Sequence, residues 1–277
     1  MLLEGRTAMV TGIGPGMGRD IALALAREGA DVILVARTHR VMPEVVKEIE
    51  ALGRRAVGLL GDISDSDSCS VVAEQATAQL AVWSGEGADA GLDILVNSAF
   101  HGGKHVAFED SDLSRWHSPM DVNFFGTLQL TQAVLPLLKA AAGRNGDARI
   151  VMINTMSVQR IEQGAGAYAA SKAALGAVTK TLALELGGYG IRVNAIHPGY
   201  IWGDNVRTYF EWQAAERGPE VTWQDVYDER AAETALGYLP HSSEIAGSVV
   251  FFASPLSKCV TGTALPVNAG HWIPPST

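Results

Sequence analysis

Six runs rich in apolar and β-branched residues recur along the chain: TAMVTG at 7–12, DVILVA at 31–36, RAVGLL at 55–60, LDILVN at 92–97, RIVMIN at 149–154 and IRVNAI at 191–196. A strand with one wet face alternates apolar and polar residues, and these runs do not alternate, so both of their faces must be covered. Helical stretches separate them, which predicts parallel pairing through right-handed crossovers. The expected fold class is α/β, a doubly wound parallel sheet with helices on both faces. A length of 277 residues suits one domain spanning 1–277.

The helical pattern falls on 18–29, 41–53, 128–143, 168–187 and 243–254, and several of these segments end at glycine, as helix stops often do. WSGEGADAG at 83–91 and GRNGD at 143–147 read as surface loops. Residues 204–240 interrupt the alternation with helical character, mixed charge and the aromatics Tyr209, Phe210, Trp212, Trp223 and Tyr227. An insertion after a strand of a parallel sheet lies near the carboxyl ends of the strands, where ligands bind. The segment is expected to form a helical lid over the substrate; surface helices whose aromatics only pack on the core are the alternative.

Charge and cysteine usage exclude several functions. A net charge of −9 argues against nucleic acid or an anionic membrane as partner, since phosphate-backbone binders carry a basic patch. Cys69 and Cys259 stand far apart without metal-ligand or redox spacing, which fits a reducing cytoplasm. The N-terminus shows no basic leader, and no apolar run reaches the roughly 18 residues of a membrane span.

Between the first strand and the first helix, VTGIGPGMGRDIALALA places Gly12, Gly14, Gly16 and Gly18. Glycines let the backbone approach a pyrophosphate, and the helix N-terminus offers free N–H donors and a positive dipole end. Packing alone also accounts for a glycine-rich loop, but the position between strand and helix is the one a dinucleotide site requires. The turn resembles the TGxxxGxG motif of the short-chain dehydrogenases/reductases. NSAF at 97–100 resembles that family's NNAG, GDI with Asp62 its acidic residue beside the adenine, and VNFFG supplies Asn123 at the position of its catalytic asparagine. NTMSV with Ser157, then Tyr168 and Lys172, resembles the remaining catalytic members, and HPGYI at 197–201 resembles the PG turn beside the nicotinamide.

The resemblance spans nearly the whole chain and implies a Rossmann fold of about seven strands. It implies a hydride-transferring enzyme for alcohols and ketones, with NAD or NADP as cofactor. Implied cofactor contacts are Gly12, Gly14, Gly16, Met17, Gly18, Arg37, Asp62, Ile63, Asn97, Ala99, Tyr168, Lys172, Pro198, Gly199 and Ile201. An acidic residue at the end of the second strand selects NAD, whereas an arginine nearby accommodates the 2′-phosphate of NADP. Here Ala36 holds the acid's place and Arg37 follows, so NADP is slightly favoured; a solvated surface arginine is the alternative.

Tyr168 and Lys172 are spaced i, i+4, which puts both side chains on one helix face. Free tyrosine titrates near pH 10, about three units too high for a base at neutrality, and a neighbouring ammonium favours tyrosinate. By resemblance Lys172 also holds the nicotinamide ribose, and Asn123 positions a water that links Lys172 to solvent. A hydroxyl is further needed to stabilise the substrate oxygen as its charge changes. In relatives that serine lies about 13 residues before the tyrosine; Ser157 lies 11 before Tyr168 and Thr155 lies 13 before it. Ser157 is expected to serve because the strand-end pattern matches, with Thr155 the alternative.

This chain also departs from the family pattern. Gly203 replaces the threonine that contacts the nicotinamide carboxamide, Trp202 precedes it, and Phe100 replaces the last glycine of NNAG. Trp202, Tyr209, Phe210 and Trp212 are expected to line the substrate pocket, which favours a hydrophobic or cyclic alcohol or ketone. A 3-oxoacyl thioester is a second candidate, and a non-catalytic NADP sensor is a third. No metal is expected; His101 and His105 read as loop residues at the pocket rim. The resemblance further implies a homodimer or homotetramer formed through the helices that carry Asn123 and Tyr168.

Overall fold

The computed structural model describes residues 1–85 and 90–273. Seven parallel strands form one sheet in the order β3-β2-β1-β4-β5-β6-β7. They are β1 (Thr7–Thr11), β2 (Asp31–Ala36), β3 (Ala56–Leu60), β4 (Ile94–Asn97), β5 (Ala148–Ile153), β6 (Ile191–Pro198) and β7 (Ala264–Val267). The order reverses between β1 and β4, and this switch point opens a crevice at the carboxyl ends of the strands.

The continuous apolar runs resolve into two cores once the side chains alternate across the sheet. Ala8, Val10, Val32 and Leu34 point to the face covered by α1 (Met17–Arg27), α2 (Met42–Ala51) and α9 (Ser242–Ala253). Met9, Ile33, Leu95 and Ile150 point to the opposite face, under α3 (Ser66–Ser84), α5 (Thr127–Asn145) and α6 (Gly166–Leu186). The short α4 (His117–Met120) leads through a π-helical turn, Asp121–Gly126, into α5. Between β6 and α9 lie α7 (Asp204–Arg217) and α8 (Trp223–Ala232).

Several boundaries differ from the sequence expectation. Helix α3 is an addition to the expected helices: Cys69, Val72, Ala76 and Leu80 make a weak buried stripe, and it starts where the Asp65 carboxylate accepts from the amides of Asp67 at 2.9 Å and Ser68 at 3.5 Å. Trp83 and Ser84 belong to that helix, so the expected loop at 83–91 is shorter, and its residues 86–89 lie outside the described residues. Similarly, α5 continues to Asn145, and the expected loop at 143–147 contracts to a turn at Gly146 with φ +79°. Strand β7 is half-exposed and carries a proline, which hid it among the loops.

Candidate active site

One end of the crevice is bare backbone. Gly12 has φ +74°, and a Cβ there would stand 2.5 Å from the Ala99 Cα. A Cβ on Gly18 would stand 2.4 Å from the Gly12 carbonyl oxygen, so these two glycines let α1 and the end of β4 close on the turn. At Gly14 and Gly16 a Cβ would meet nothing within 4 Å, so packing does not demand glycine there. Gly16 precedes α1 without any side-chain cap, which leaves the first amides of the helix, from Met17 onward, open to an anion. The Thr11 hydroxyl accepts from the amides of Ser98 at 2.9 Å and Ala99 at 3.1 Å and so ties the two strand ends together. These residues fit a dinucleotide.

A cavity beside the turn is lined by Gly12, Ile13, Arg37, Thr38, Asp62, Ile63, Ala99 and Phe100, among others. Burial alone raises the Asp62 carboxyl, but hydrogen bonds from the Ser64 hydroxyl at 2.7 Å and amide at 3.0 Å, with Arg37 nearby, hold it below the ordinary value. Asn97 does not join this cavity through its side chain. It is buried and donates to the Thr131 hydroxyl at 3.0 Å, inside the core under α5.

A second cavity continues the crevice, lined by Met17, Ser98, Phe100, Ile153, Asn154, Thr155, Tyr168, Lys172, Pro198, Gly199 and Ile201. Phe100, 63% exposed, borders both cavities. Lys172 is 3% exposed and donates from Nζ to the Ile153 carbonyl at 2.7 Å; burial depresses its pKa to about 7. Asn154, the first residue beyond β5, donates to the Lys172 carbonyl at 3.1 Å and accepts from the Thr155 amide at 3.0 Å.

Tyr168 behaves differently from its expectation. Its phenol is pushed above the ordinary tyrosine value because burial disfavours the anion, and a hydrogen bond with the Thr155 side chain offsets part of that. Lys172 does not reverse the shift, being desolvated itself. Thr155 and Ser157 are linked to each other: Thr155 Oγ1 donates to Ser157 Oγ at 3.2 Å and accepts from the Ser157 amide at 3.2 Å. Ser157 is not among the residues lining the cavity.

Asn123 sits in the π-helical turn, a form of helix common at functional sites. Its side chain is committed on both sides: Oδ1 accepts from the His101 amide at 2.7 Å, while Nδ2 donates to the His101 carbonyl and to the Ser171 hydroxyl, each at 2.9 Å. It therefore joins the loop beyond β4 to the helix that carries Tyr168 and Lys172. The stretch between Ser157 and Tyr168 turns tightly at Gly164, φ +80°, and a Cβ on Gly166 would lie 2.8 Å from the Trp116 indole.

The expected aromatic substrate pocket needs correction. Phe210 is 0% exposed and packs with Ala214, Val226 and Leu239 in a small third core between α7 and α8. Trp202 is held in the same cluster, stacked on Trp223 with ring centroids 5.6 Å apart and edge-on to Tyr227 at 4.6 Å. Trp212, 54% exposed, stacks on Tyr209, whose ring lies 6.0 Å from His105. None of the four lines the cavity that holds Tyr168 and Lys172. Phe210 and Trp202 thus pack within the helix pair.

That helix pair is fixed to the catalytic loop by charge. Glu233, at the end of α8, pairs with Arg160, with Arg230 at 2.6 Å and with His271 Nε2 at 2.8 Å. Among the described residues no group of three His, Cys, Asp or Glu is placed to hold a metal ion, and no helix is long and apolar enough to cross a membrane.

The sequence reading missed Ser98 and Asn154 as cavity residues. They immediately follow β4 and β5, so the rule that ligands bind at the carboxyl ends of parallel strands was the available signal.

Fold, glycine turn and cavity together define a nicotinamide-dinucleotide-binding protein of the doubly wound class. Relatives place it more closely. A family model described as Enoyl-(Acyl carrier protein) reductase matches residues 12–271. The chain is 34% identical to galactitol 2-dehydrogenase (L-tagatose-forming) of Cereibacter sphaeroides, over 98% of this chain and 96% of the relative. Its backbone superposes on carveol dehydrogenase of Mycobacterium avium in complex with NAD at a TM-score of 0.87, with 25% identity and 98% of each chain covered. It also superposes on a single-substitution variant of actinorhodin polyketide ketoreductase with NADPH at 0.84, with 27% identity and 96% and 97% covered. The chain belongs to the short-chain dehydrogenase/reductase family. It is an NAD(P)-dependent oxidoreductase of alcohols and ketones.

Proposed function

We propose that this enzyme interconverts a bulky apolar, cyclic secondary alcohol and its ketone, with Tyr168 as the proton-transferring group. The observation that carries the reading is the meeting of Tyr168, Lys172 and the Thr155 hydroxyl in one cavity that continues the glycine-lined crevice, with Ser157 hydrogen-bonded to Thr155. When bound, the nicotinamide accepts or supplies the hydride. In the oxidative direction the alcohol O–H proton passes to the Tyr168 oxygen while the carbon loses its hydride; reduction runs both transfers backwards. Lys172 keeps two further N–H donors besides the one given to Ile153, enough for two ribose hydroxyls. The relay water is assigned to Asn123 on the family resemblance; its carbonyl accepts from the Thr127 hydroxyl at 3.1 Å.

The apolar lining, Met17, Phe100, Ile153, Pro198 and Ile201, supports a hydrophobic substrate, and carveol dehydrogenase is similar in backbone throughout. Turnover of carveol, cyclohexanol, galactitol and an acetoacetyl thioester tests this. Oxidation of a cyclic alcohol at the highest kcat/KM is expected; preference for galactitol or the thioester sinks the substrate reading.

NADP is the proposed cofactor because Arg37 lines the adenosine end and no carboxylate ends β2. Charge-assisted hydrogen bonds are worth about 1.5–3 kcal/mol, so Arg37→Ala should weaken NADP binding at least about tenfold and leave NAD nearly unchanged. Calorimetric titration of both cofactors decides. We further propose a cytoplasmic homodimer or homotetramer. Two free cysteines support the compartment, and exposed Phe125 and Leu184, beside Asn123 and on α6, support the interface. A monomer in sedimentation equilibrium would remove the second point.

A further inference from the structure

We infer that two side-chain bonds, Gln159 with His197 and Glu162 with Tyr200, register the Pro198–Gly199 turn against the loop that leads from β5 to Tyr168, and that these are positioning residues. The inference rests on the reading above, in which Tyr168 transfers the proton and this turn flanks the nicotinamide. The two walls of the cavity belong to different strands: Thr155 and Tyr168 come after β5, whereas Gly199 and Ile201 come after β6. The ladder between β5 and β6 ends at Ile153 and Ile196, so beyond it other contacts must set the distance between the walls.

Both bonds cross that gap. Gln159 Nε2 and His197 Nδ1 stand 2.6 Å apart, and the Tyr200 hydroxyl donates to Glu162 Oε1 at 3.0 Å. His197 and Tyr200 bracket the Pro198–Gly199 turn, and Gln159 and Glu162 have the same spacing in the facing loop, so the turn is held on either side. Burial, with the Lys172 and Lys180 charges behind it, lowers His197 to about 4, so the ring enters the pair neutral, with one donor and one acceptor. Either orientation of the Gln159 amide then gives one hydrogen bond. Burial and the Glu162 carboxylate both push the Tyr200 phenol up, which keeps it a donor.

Between the two bonds the turn lies directly on its neighbours. A Cβ on Gly199 would stand 3.0 Å from the Asn268 Cβ and 3.4 Å from Met156 Sδ, so a side chain there would press on both. The Tyr200 ring is itself fixed, edge-on to Phe210 at 5.5 Å and tilted against His271 at 5.8 Å. None of Gln159, His197, Glu162 and Tyr200 lines the cavity with Tyr168 and Lys172, so losing a bond should shift the turn without removing a cofactor contact. A misplacement of about 1 Å can cost about 10² in rate.

Gln159→Leu and Tyr200→Phe each remove one bond and nearly keep the shape. Each should lower kcat about fivefold, and the double variant about a hundredfold, more than the product of the two, because either bond alone still holds one side of the turn. Calorimetric Kd values for NADP and NAD should change less than about twofold, since the binding contacts remain. Glu162→Gln, whose amide oxygen can still accept from Tyr200, should keep kcat near the parent, whereas Glu162→Ala should match Tyr200→Phe. Hydrogen exchange of the cofactor-free protein needs no turnover: in each single variant residues 156–165 and 198–202 should both lose protection. Faster exchange confined to the mutated segment, single losses that merely multiply, or a loss of cofactor affinity with kcat unchanged overturns the inference. Turnover by Tyr168→Phe overturns the underlying reading instead and leaves the exchange result standing, so the two failures are distinguishable.

Discussion

Where β1 meets α1 the crevice is walled largely by the backbone of Gly12, Gly14 and Gly16; where α7 meets α8, just beyond Ile201, aromatic rings pack on one another and on the buried Ala214, Val226 and Leu239. At the first place function asks for the absence of side chains, and sterics make the sequence nearly obligatory. At the second, stability and recognition both call for large rings, and the same residue serves either. The difference teaches that a missing side chain is a more specific functional sign than a present one.

Substitutions can break or sharpen that contrast. The largest effect belongs to neither region but to the group between them: Tyr168→Phe should reduce kcat by about 10²–10⁴, with NADP affinity unchanged by fluorescence titration. Phe210→Ala should cost about 3–5 kcal/mol of local stability, visible as faster hydrogen exchange in α7 and α8, whereas Trp212→Ala should cost little. A larger loss at Trp212 would put the supporting core elsewhere. Gly12→Ala should destabilise by about 1–3 kcal/mol, because the new Cβ meets backbone and the φ is positive. A parent-like melting temperature would mean that the turn yields and the wall is soft.

The smallest effect is expected at Glu233. Burial raises this carboxyl, but hydrogen bonds from His271, Arg160 and Arg230 bring it to about 2, below its ordinary 4.5. The folded value is the depressed one, so the stabilisation is complete above about pH 4.5 and is lost as pH falls towards about 2. Glu233→Gln should therefore flatten the decline of the unfolding midpoint in that acid window. An identical acid profile in parent and variant would show that the tie between α8 and the catalytic loop contributes nothing.

The parallel sheet was legible because strands buried on both faces leave continuous apolar runs, and six of the seven strands show one. Helix α3 was not read, although its buried Cys69, Val72, Ala76 and Leu80 fall at helical spacing, because two of the four are small and polar residues surround them. Asn123, Tyr168 and Lys172 were readable as a set, but not the raised phenol of Tyr168, which depends on burial that only the fold supplies. The aromatic residues after Ile201 misled for a related reason: composition records that rings are present, and only packing shows whether they face a ligand or each other.

The π-helical turn that carries Asn123 has one more consequence. A Cβ on its last residue, Gly126, would stand 2.6 Å from the carbonyl oxygen of Ile63, while Asn123 holds the amide and the carbonyl of His101. Ile63 and His101 both line the cavity that contains Arg37 and Asp62, so one short turn buttresses two sides of the same cavity.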